Sequence, residues 1–272
     1  MIRLAVIGDQ RVKHSLSPRM HNAVLRQEGL EGSYEAIPVE AGQLGEFLRG
    51  LAGRGFAGVN VTVPHKQAVL PFIDRLDEEA ATLGAVNTVV VKGDHLEGGN
   101  TDCPGFAQAL IETGYAAKGQ PALVVGAGGA ARSVVLALAR LGASPLWVAA
   151  RRPAQARELC AELGGEAIDM DQAAEAVPEA GLLVNAAAVS SPAESPDMAA
   201  WVKALKVPSL EQVMDINYGR EQNFWADLAR ANGARFSDGL VMLAHQAALS
   251  FTRWTGRPVA GARFLAALEG AA

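Results

Sequence analysis

The chain of 272 residues predicts an α/β protein of two domains, each built on a mostly parallel sheet. Three observations lead there. Short apolar runs alternate with stretches of helical periodicity from end to end. One of those runs opens directly into a glycine-rich turn, "LVVGAGGAAR". The alternation also restarts after the spacer "AAKGQP", as a second domain would. The length fits the prior of about two domains.

The elements follow in order. "IRLAVIG" is a strand. "SPRMHNAVLRQEGL" is a helix, with Ser17 as N-cap, Pro18 at its first position and Gly29 as its stop. "SYEAIPV" is extended and "AGQLGEFLRGLAG" helical. "FAGVNVTV" is a strand ended by Pro64, and a helix follows near Gln67–Leu76. "AVNTVVV" and "HLEGGN" form a hairpin turning at Gly93 and Asp94. "PGFAQALIETG" is a helix leaving that sheet. The second domain opens with the strand "ALVV", the glycine turn, and a helix closed by Gly142. "PLWVAA" is a strand and "RPAQARELCAELGG" a helix. "LLVNAAA", "QVMDINY" and "ARFSDG" are strands; "SSPAESPDMAA" is a surface loop. "NFWADLARANG" and "LVMLAHQAALSFTRWTG" are helices. The boundary is expected near Thr101–Gly105.

Composition narrows the functional classes. Half the residues are hydrophobic and 19% are charged, as in ordinary globular proteins. A net charge of −5 does not suggest nucleic acid or an anionic membrane as partner. The two cysteines, Cys103 and Cys160, have no zinc spacing and read as reduced thiols. "MIRLAVIGD" is too short for a signal peptide, and Arg132 and Arg140 interrupt the most apolar run. A cytoplasmic location is expected. His14, His21, His95 and His245 have no ligand spacing, so no metal is expected.

Gly126, Gly128 and Ala131 have the G-x-G-x-x-A spacing, after a strand and opening a helix. Such glycines let a pyrophosphate approach the backbone at the helix N-terminus. An ordinary tight turn accounts for the glycines too, but the strand–turn–helix context favours a Rossmann-like dinucleotide-binding domain. The next strand ends in Arg151 and Arg152, where an NAD site usually carries an acid. A solvated basic surface is the bland account. Yet Pro153 marks a helix start, where cations are unfavourable by ~0.3–1 kcal/mol each. A bound 2′-phosphate reverses that sign, so NADP is favoured over NAD.

The first domain holds polar residues at several strand ends: Ser15, Asn60, Thr62, Lys66, Asn87 and Asp102. An N-cap role accounts for Ser17 but not for Ser15; taken singly, such residues are more often structural than catalytic. Together they stand where open α/β sheets bind ligands. Lys66, at the end of its strand, either points into water or is aimed into a cleft with Asn60 and Thr62. His65 points away from Lys66 in extended geometry and is read as structural.

"HSLSPRMHN", "GVNVTVPHK", "GAVNTVV", "NTDCPGF", "GAGGAAR" and "DGLVMLAHQAALSFTRWTG" together resemble the shikimate dehydrogenase family, in its order and spacing over nearly the whole chain. The resemblance implies a substrate domain from residues 1–102 plus 239–272 and an NADP domain from 103–238. It implies reversible reduction of 3-dehydroshikimate to shikimate with NADPH, in aromatic amino-acid biosynthesis. Lys66 and Asp102 become the catalytic pair, and Ser15 and Ser17 hold the substrate carboxylate. Asn60, Thr62, Asn87, Tyr218 and Gln246 contact ring hydroxyls. Gly126, Ala127, Gly128, Gly129, Ala130, Arg151, Arg152, Ile216 and Gly239 line the cofactor. The expected assembly is a monomer or homodimer.

Four segments depart from the family pattern. "GDQRVKHS" is one residue longer and lacks a proline. Ala150 replaces an asparagine. "LVNAAAVSS" lacks the Thr-Ser after Asn185 and Ala186. "NYGREQNF" keeps Tyr218 but loses the following Pro and Thr. A quinate or aminoshikimate dehydrogenase paralogue therefore stays open. So does a non-catalytic nucleotide-binding sensor on the same fold, against which the intact Lys66 and Asp102 argue.

Overall fold

The computed structural model describes residues 1–176 and 179–269. The chain divides into two units, residues 1–105 with 243 onward, and residues 106–242.

In the first unit the strands are β1 (Ile2–Gly8), β2 (Gly32–Pro38), β3 (Phe56–Val61), β4 (Arg75–Leu76), β5 (Thr88–Lys92) and β6 (His95–Gly99). They lie in the order β2-β1-β3-β5-β6-β4. β1 runs parallel to β2 and β3, whereas β5 is antiparallel to both β3 and β6. The β5–β6 hairpin turns through Gly93 at φ +61°, as its sequence requires. Three short helices are α2 (Leu44–Arg49), α3 (His65–Ala68) and α4 (Glu78–Leu83). Helices α1 (Ser17–Gln27), α11 (Leu240–Thr255) and α12 (Gly261–Glu269) share one apolar cluster: Met20, Val24 and Leu25 pack on Ala244, Ala247, Phe251 and Phe264.

The second sheet holds β7 (Ala122–Val125), β8 (Leu146–Ala149), β9 (Glu166–Ile168), β10 (Leu182–Asn185), β11 (Gln212–Asp215) and β12 (Arg235–Ser237). The order is β12-β11-β10-β7-β8-β9 and every pairing is parallel. All four residues of β7, and all four of β10, are buried, as in a sheet covered on both faces. The helices are α5 (Asp102–Glu112), which crosses the unit boundary, α6 (Gly129–Arg140), α7 (Pro153–Leu163), α8 (Met170–Ala176), α9 (Pro196–Ala204) and α10 (Phe224–Ala231). The strand order reverses between β7 and β10. Parallel α/β sheets bind ligands at the carboxyl ends of strands at such a point.

Three expectations are corrected. The helix expected near Gln67–Leu76 ends at Ala68; a short turn spans Leu70–Phe72, and Arg75–Leu76 pairs with β6. Pro71 has no N–H to continue an α-helix. The helix that does form further on is α4, capped by Asp77 Oδ1 on the Ala80 N–H at 2.7 Å and ended by Gly84 at φ +57°. The stretch read as a loop is loop only to Ser195. There Ser195 caps α9, accepting from the Met198 N–H at 3.3 Å, and Pro196 opens the helix. Finally, Ser17 is not the N-cap of α1. That position is Leu16, and the nearby side-chain bond comes from Ser15, whose Oγ accepts the Ser17 N–H at 3.2 Å.

Candidate active site

The answer to where Lys66 points begins at β3. Beyond Val61, Thr62 still bonds to β1, its N–H reaching the Ile7 carbonyl at 2.8 Å. The His65 N–H then returns to the Thr62 carbonyl at 2.9 Å and the chain coils into α3. His65 is buried, with Nε2 at 2.7 Å from the Val39 carbonyl. A ring held that way is structural, although the extended geometry expected after Pro64 is replaced by a helix. Lys66 reaches Asp102: Nζ donates to Oδ2 at 2.6 Å.

Asp102 stands in the first turn of α5, a favourable place for a carboxylate. Its own N–H donates to Asn100 Oδ1 at 3.0 Å, and Asn100 Nδ2 donates to the Ala85 carbonyl at 2.9 Å. Asn87 Nδ2 donates to the second carboxylate oxygen, Oδ1, at 2.8 Å. Lys66 and Asp102 side chains are only 17% and 10% exposed. Exposed ion pairs are worth roughly 0–1 kcal/mol, but removing one partner from a buried pair costs about 3–5 kcal/mol. This pair therefore belongs to a built site, not to a solvated surface.

Around it lies a buried polar network. Asn60 Nδ2 faces the Asn87 carbonyl, Thr88 Oγ1 and Ser250 Oγ at 3.0, 3.1 and 3.1 Å, and Asn60 Oδ1 accepts the Tyr34 hydroxyl at 2.7 Å. Thr101 Oγ1 donates to Gln246 Oε1 at 3.4 Å, and Gln246 Nε2 donates to the Leu243 carbonyl at 3.0 Å. The structure thus brings together Lys66, Asp102, Asn87, Asn60 and Gln246. Both ends of the Asn60 amide are engaged within the protein. Thr62 is half-buried, as is Ser15, and Ser17 is buried. Burial pushes the Tyr34 phenol well above its ordinary pKa, and a hydrogen bond from Ser17 opposes that shift. Sequence reasoning missed Tyr34, Thr88, Thr101 and Ser250. Thr88 and Thr101 directly follow Asn87 and Asn100, and Ser250 lies one turn past Gln246 on α11; those were the available signals.

The second unit carries the glycine turn. Gly126 has φ +118°, and a Cβ there would meet the Ala186 carbonyl carbon at 2.8 Å and the Ala187 nitrogen at 2.8 Å. Gly126 is needed for packing between β7 and β10. Gly128 and Gly129 differ: both are exposed, and a Cβ on either would meet nothing within 4 Å. Gly128 is the N-cap of α6, whose first turn holds no acid, so its N–H groups suit an anion. Ala127 and Ala130 flank them half-buried. Arg151 and Arg152 are exposed, and Arg152 is the N-cap of α7 without a capping side-chain bond. These residues fit a phosphorylated dinucleotide. Gly239 is packed so closely that a Cβ would lie 2.1 Å from the Ile216 carbonyl oxygen.

Tyr218 also belongs to this unit. Two segments that depart from the family pattern are joined here. Arg220 Nε pairs with Glu194 Oε1 at 2.8 Å, Arg220 Nη1 donates to the Tyr218 carbonyl at 3.2 Å, and Asn217 Nδ2 donates to the Ala187 carbonyl at 2.7 Å. Burial pushes the Glu194 carboxyl up. The N–H groups of Ser190 and Ser191, with Arg220, outweigh it and hold its pKa below the usual value. Among the described residues no cluster of metal-ligating side chains occurs, and no helix is long and apolar enough to cross a membrane.

A buried lysine–aspartate pair in the first unit, and in the second a glycine turn that suits an anion at a sheet switch point, fit a dinucleotide-dependent oxidoreductase. Residues 6–89 match the family model for the shikimate dehydrogenase substrate binding domain. Residues 107–223 match that for shikimate / quinate 5-dehydrogenase, and residues 239–269 that for the shikimate 5′-dehydrogenase C-terminal domain. Shikimate dehydrogenase (NADP(+)) of Thermus thermophilus is 44% identical over 262 residues, covering 94% of this chain and 93% of its own. The crystal structure of that organism's enzyme with NADP(H) and shikimate superposes with TM-score 0.88 at 41% identity, over the full length of both chains. Quinate dehydrogenase of Corynebacterium glutamicum, in complex with NAD, gives TM-score 0.88 at 31% identity over 99% of each chain. The chain belongs to the shikimate dehydrogenase family.

Proposed function

We propose that this chain reduces 3-dehydroshikimate reversibly to shikimate with NADPH. The observation that carries the reading is the Lys66–Asp102 contact of 2.6 Å, with Asn87 on the other carboxylate oxygen. The curated relatives at about 40% identity are named as NADP(+) shikimate dehydrogenases, which favours shikimate over quinate and NADP over NAD.

The nicotinamide cofactor, when bound, supplies the hydride. The protein must stabilise the alkoxide that develops on the carbonyl oxygen and give it a proton. Lys66 does both, because its ammonium has further N–H groups beyond the one held by Asp102. Asp102 fixes the ammonium and accepts a hydrogen bond from a substrate hydroxyl. In the oxidative direction Lys66 accepts the proton instead. Ser15 and Ser17 donate to the substrate carboxylate, Thr62, Tyr218 and Gln246 read the ring hydroxyls, and Asn87 holds the Asp102 carboxylate beside them. Asn60 acts through Asn87. Gly126 to Ala130, Ile216 and Gly239 shape the cofactor site.

The test is nicotinamide absorbance with shikimate or quinate and either oxidised cofactor. Shikimate with NADP should give the highest kcat/KM of the four pairs. A higher value for quinate with NAD assigns the chain to the quinate activity, and inertness with all four pairs favours the nucleotide-binding sensor.

A further inference from the structure

Thr88 has no assigned part in the chemistry, yet it stands at the middle of the buried network. The network's polarity follows from groups whose donor or acceptor character is fixed. The Thr101 backbone N–H donates to Asn87 Oδ1 at 2.8 Å. Asn87 must therefore turn Nδ2 toward Asp102 Oδ1 and Thr101 Oγ1, at 2.8 and 2.9 Å. The other lone pair of Asn87 Oδ1 takes the Thr88 hydroxyl proton at 2.8 Å. With that proton spent, Thr88 Oγ1 acts as an acceptor from Asn60 Nδ2 at 3.1 Å, and it lies 2.8 Å from Ser250 Oγ, whose proton is shared with the Gln246 carbonyl at 3.0 Å. Asn60 is oriented in turn, because its Nδ2 faces a backbone carbonyl and its Oδ1 accepts from Tyr34.

Four donors then run in series: Tyr34 to Asn60, Asn60 to Thr88, Thr88 to Asn87, Asn87 to Asp102. Hydrogen bonds aligned in series polarise one another. Thr88 is 0% exposed and Asn87 is 3%, so the network is closed off from bulk water. Resting on the function proposed above, we propose that Thr88 is a positioning residue: its hydroxyl locks the Asn87 amide onto Asp102 Oδ1, which leaves Oδ2 facing Lys66. Without it Asn87 Oδ1 keeps the Thr101 N–H and the longer contact from the Thr101 hydroxyl at 3.2 Å, its amide is held less tightly, and the carboxylate loses a fixed partner.

Thr88→Ser and Thr88→Ala test this, because both lose the methyl group and differ only in the hydroxyl. NADPH fluorescence titration counts the folded sites in each. Per site, Thr88→Ser should keep kcat for shikimate oxidation within about 3-fold of the parent, and Thr88→Ala should lose about 10- to 100-fold, the scale of a catalytic group misplaced by up to ~1 Å. KM for NADP should be unchanged in both. A role in stability alone would lower the melting temperature and the number of sites but not the per-site kcat. Equal per-site kcat for Ser and Ala variants overturns the proposal. If Thr88→Ala does not fold, side-chain amide NMR relaxation of the parent protein decides: an Asn87 Nδ2 order parameter near the rigid-backbone value of about 0.85 supports the lock, and one below about 0.6 contradicts it. A parent enzyme that binds NADPH but leaves shikimate untouched overturns the function instead, and the amide signals still judge Thr88.

Discussion

His21 shows what burial does to a single titratable group. Its ring is fully buried, stacked on Tyr34 with centroids 4.2 Å apart, and neither ring nitrogen has a hydrogen-bond partner. Burial disfavours the charged ring and pushes its pKa down to about 3 from 6.5. The unfolded chain binds this proton below about pH 6.5, and the native state does not until about pH 3. The unfolded state is thus the better proton binder across that window. Stability contributed by the neutral ring is present above it and is lost as pH falls, by about 1.4 kcal/mol per pH unit. Urea unfolding of the parent and His21→Phe between pH 6 and pH 4 should show a shallower acid loss in the variant, by about that slope. Equal slopes would contradict the assignment. The sequence shows a histidine on a helix without ligand spacing, but not the aromatic box around it, which comes from residues far apart in the chain. The same holds for Ser15 and Ser17. Their presence was legible, while the division of labour between them depends on whether the helix starts before or after Leu16, a one-residue difference at a boundary.

At the scale of elements, legibility followed the strength of the local signal. The glycine turn is read from sequence because strand, turn and helix each carry their own mark. Helix α9 was missed although "SPDMAA" opens with the same Ser-Pro start as α1; its serine- and proline-rich lead-in masked the cap. Strand β4 has two residues, and its pairing with β6 is a tertiary fact with no periodicity to reveal it. Helix α7 carries a testable cost. Arg151 and Arg152 are exposed at its N-terminus, where positive charge opposes the helix dipole by ~0.3–1 kcal/mol per residue. A 2′-phosphate with nearly two negative charges makes both favourable, each contact contributing ~1.5–3 kcal/mol. Replacing both arginines by alanine should weaken NADP binding by at least about tenfold and leave the weaker NAD binding nearly unchanged. Isothermal titration with each cofactor checks this; an equal loss for both would refute the 2′-phosphate contact.

Across the whole molecule, the alternation of strands and helices disclosed two α/β sheets, and the observed strand orders supply what alternation cannot. A sequence does not state that β5 turns antiparallel against β3, or that β7 sits beside β10, because those pairings join segments 30 to 60 residues apart. The candidate site was legible as residues and not as a network. Lys66, Asn87 and Asp102 were each identifiable, whereas the hydroxyls that orient them are ordinary core threonines and serines until the fold assembles them. The chemistry proposed for the chain converges on one ammonium. Lys66→Ala is therefore the most direct measurement: per-site kcat for shikimate oxidation, with sites counted by NADPH titration. A fall of roughly 10²–10⁴-fold is expected, with NADPH affinity nearly unchanged. Turnover within a few-fold of the parent would mean that the proton travels through another group and that the 2.6 Å contact between Lys66 and Asp102 is structural.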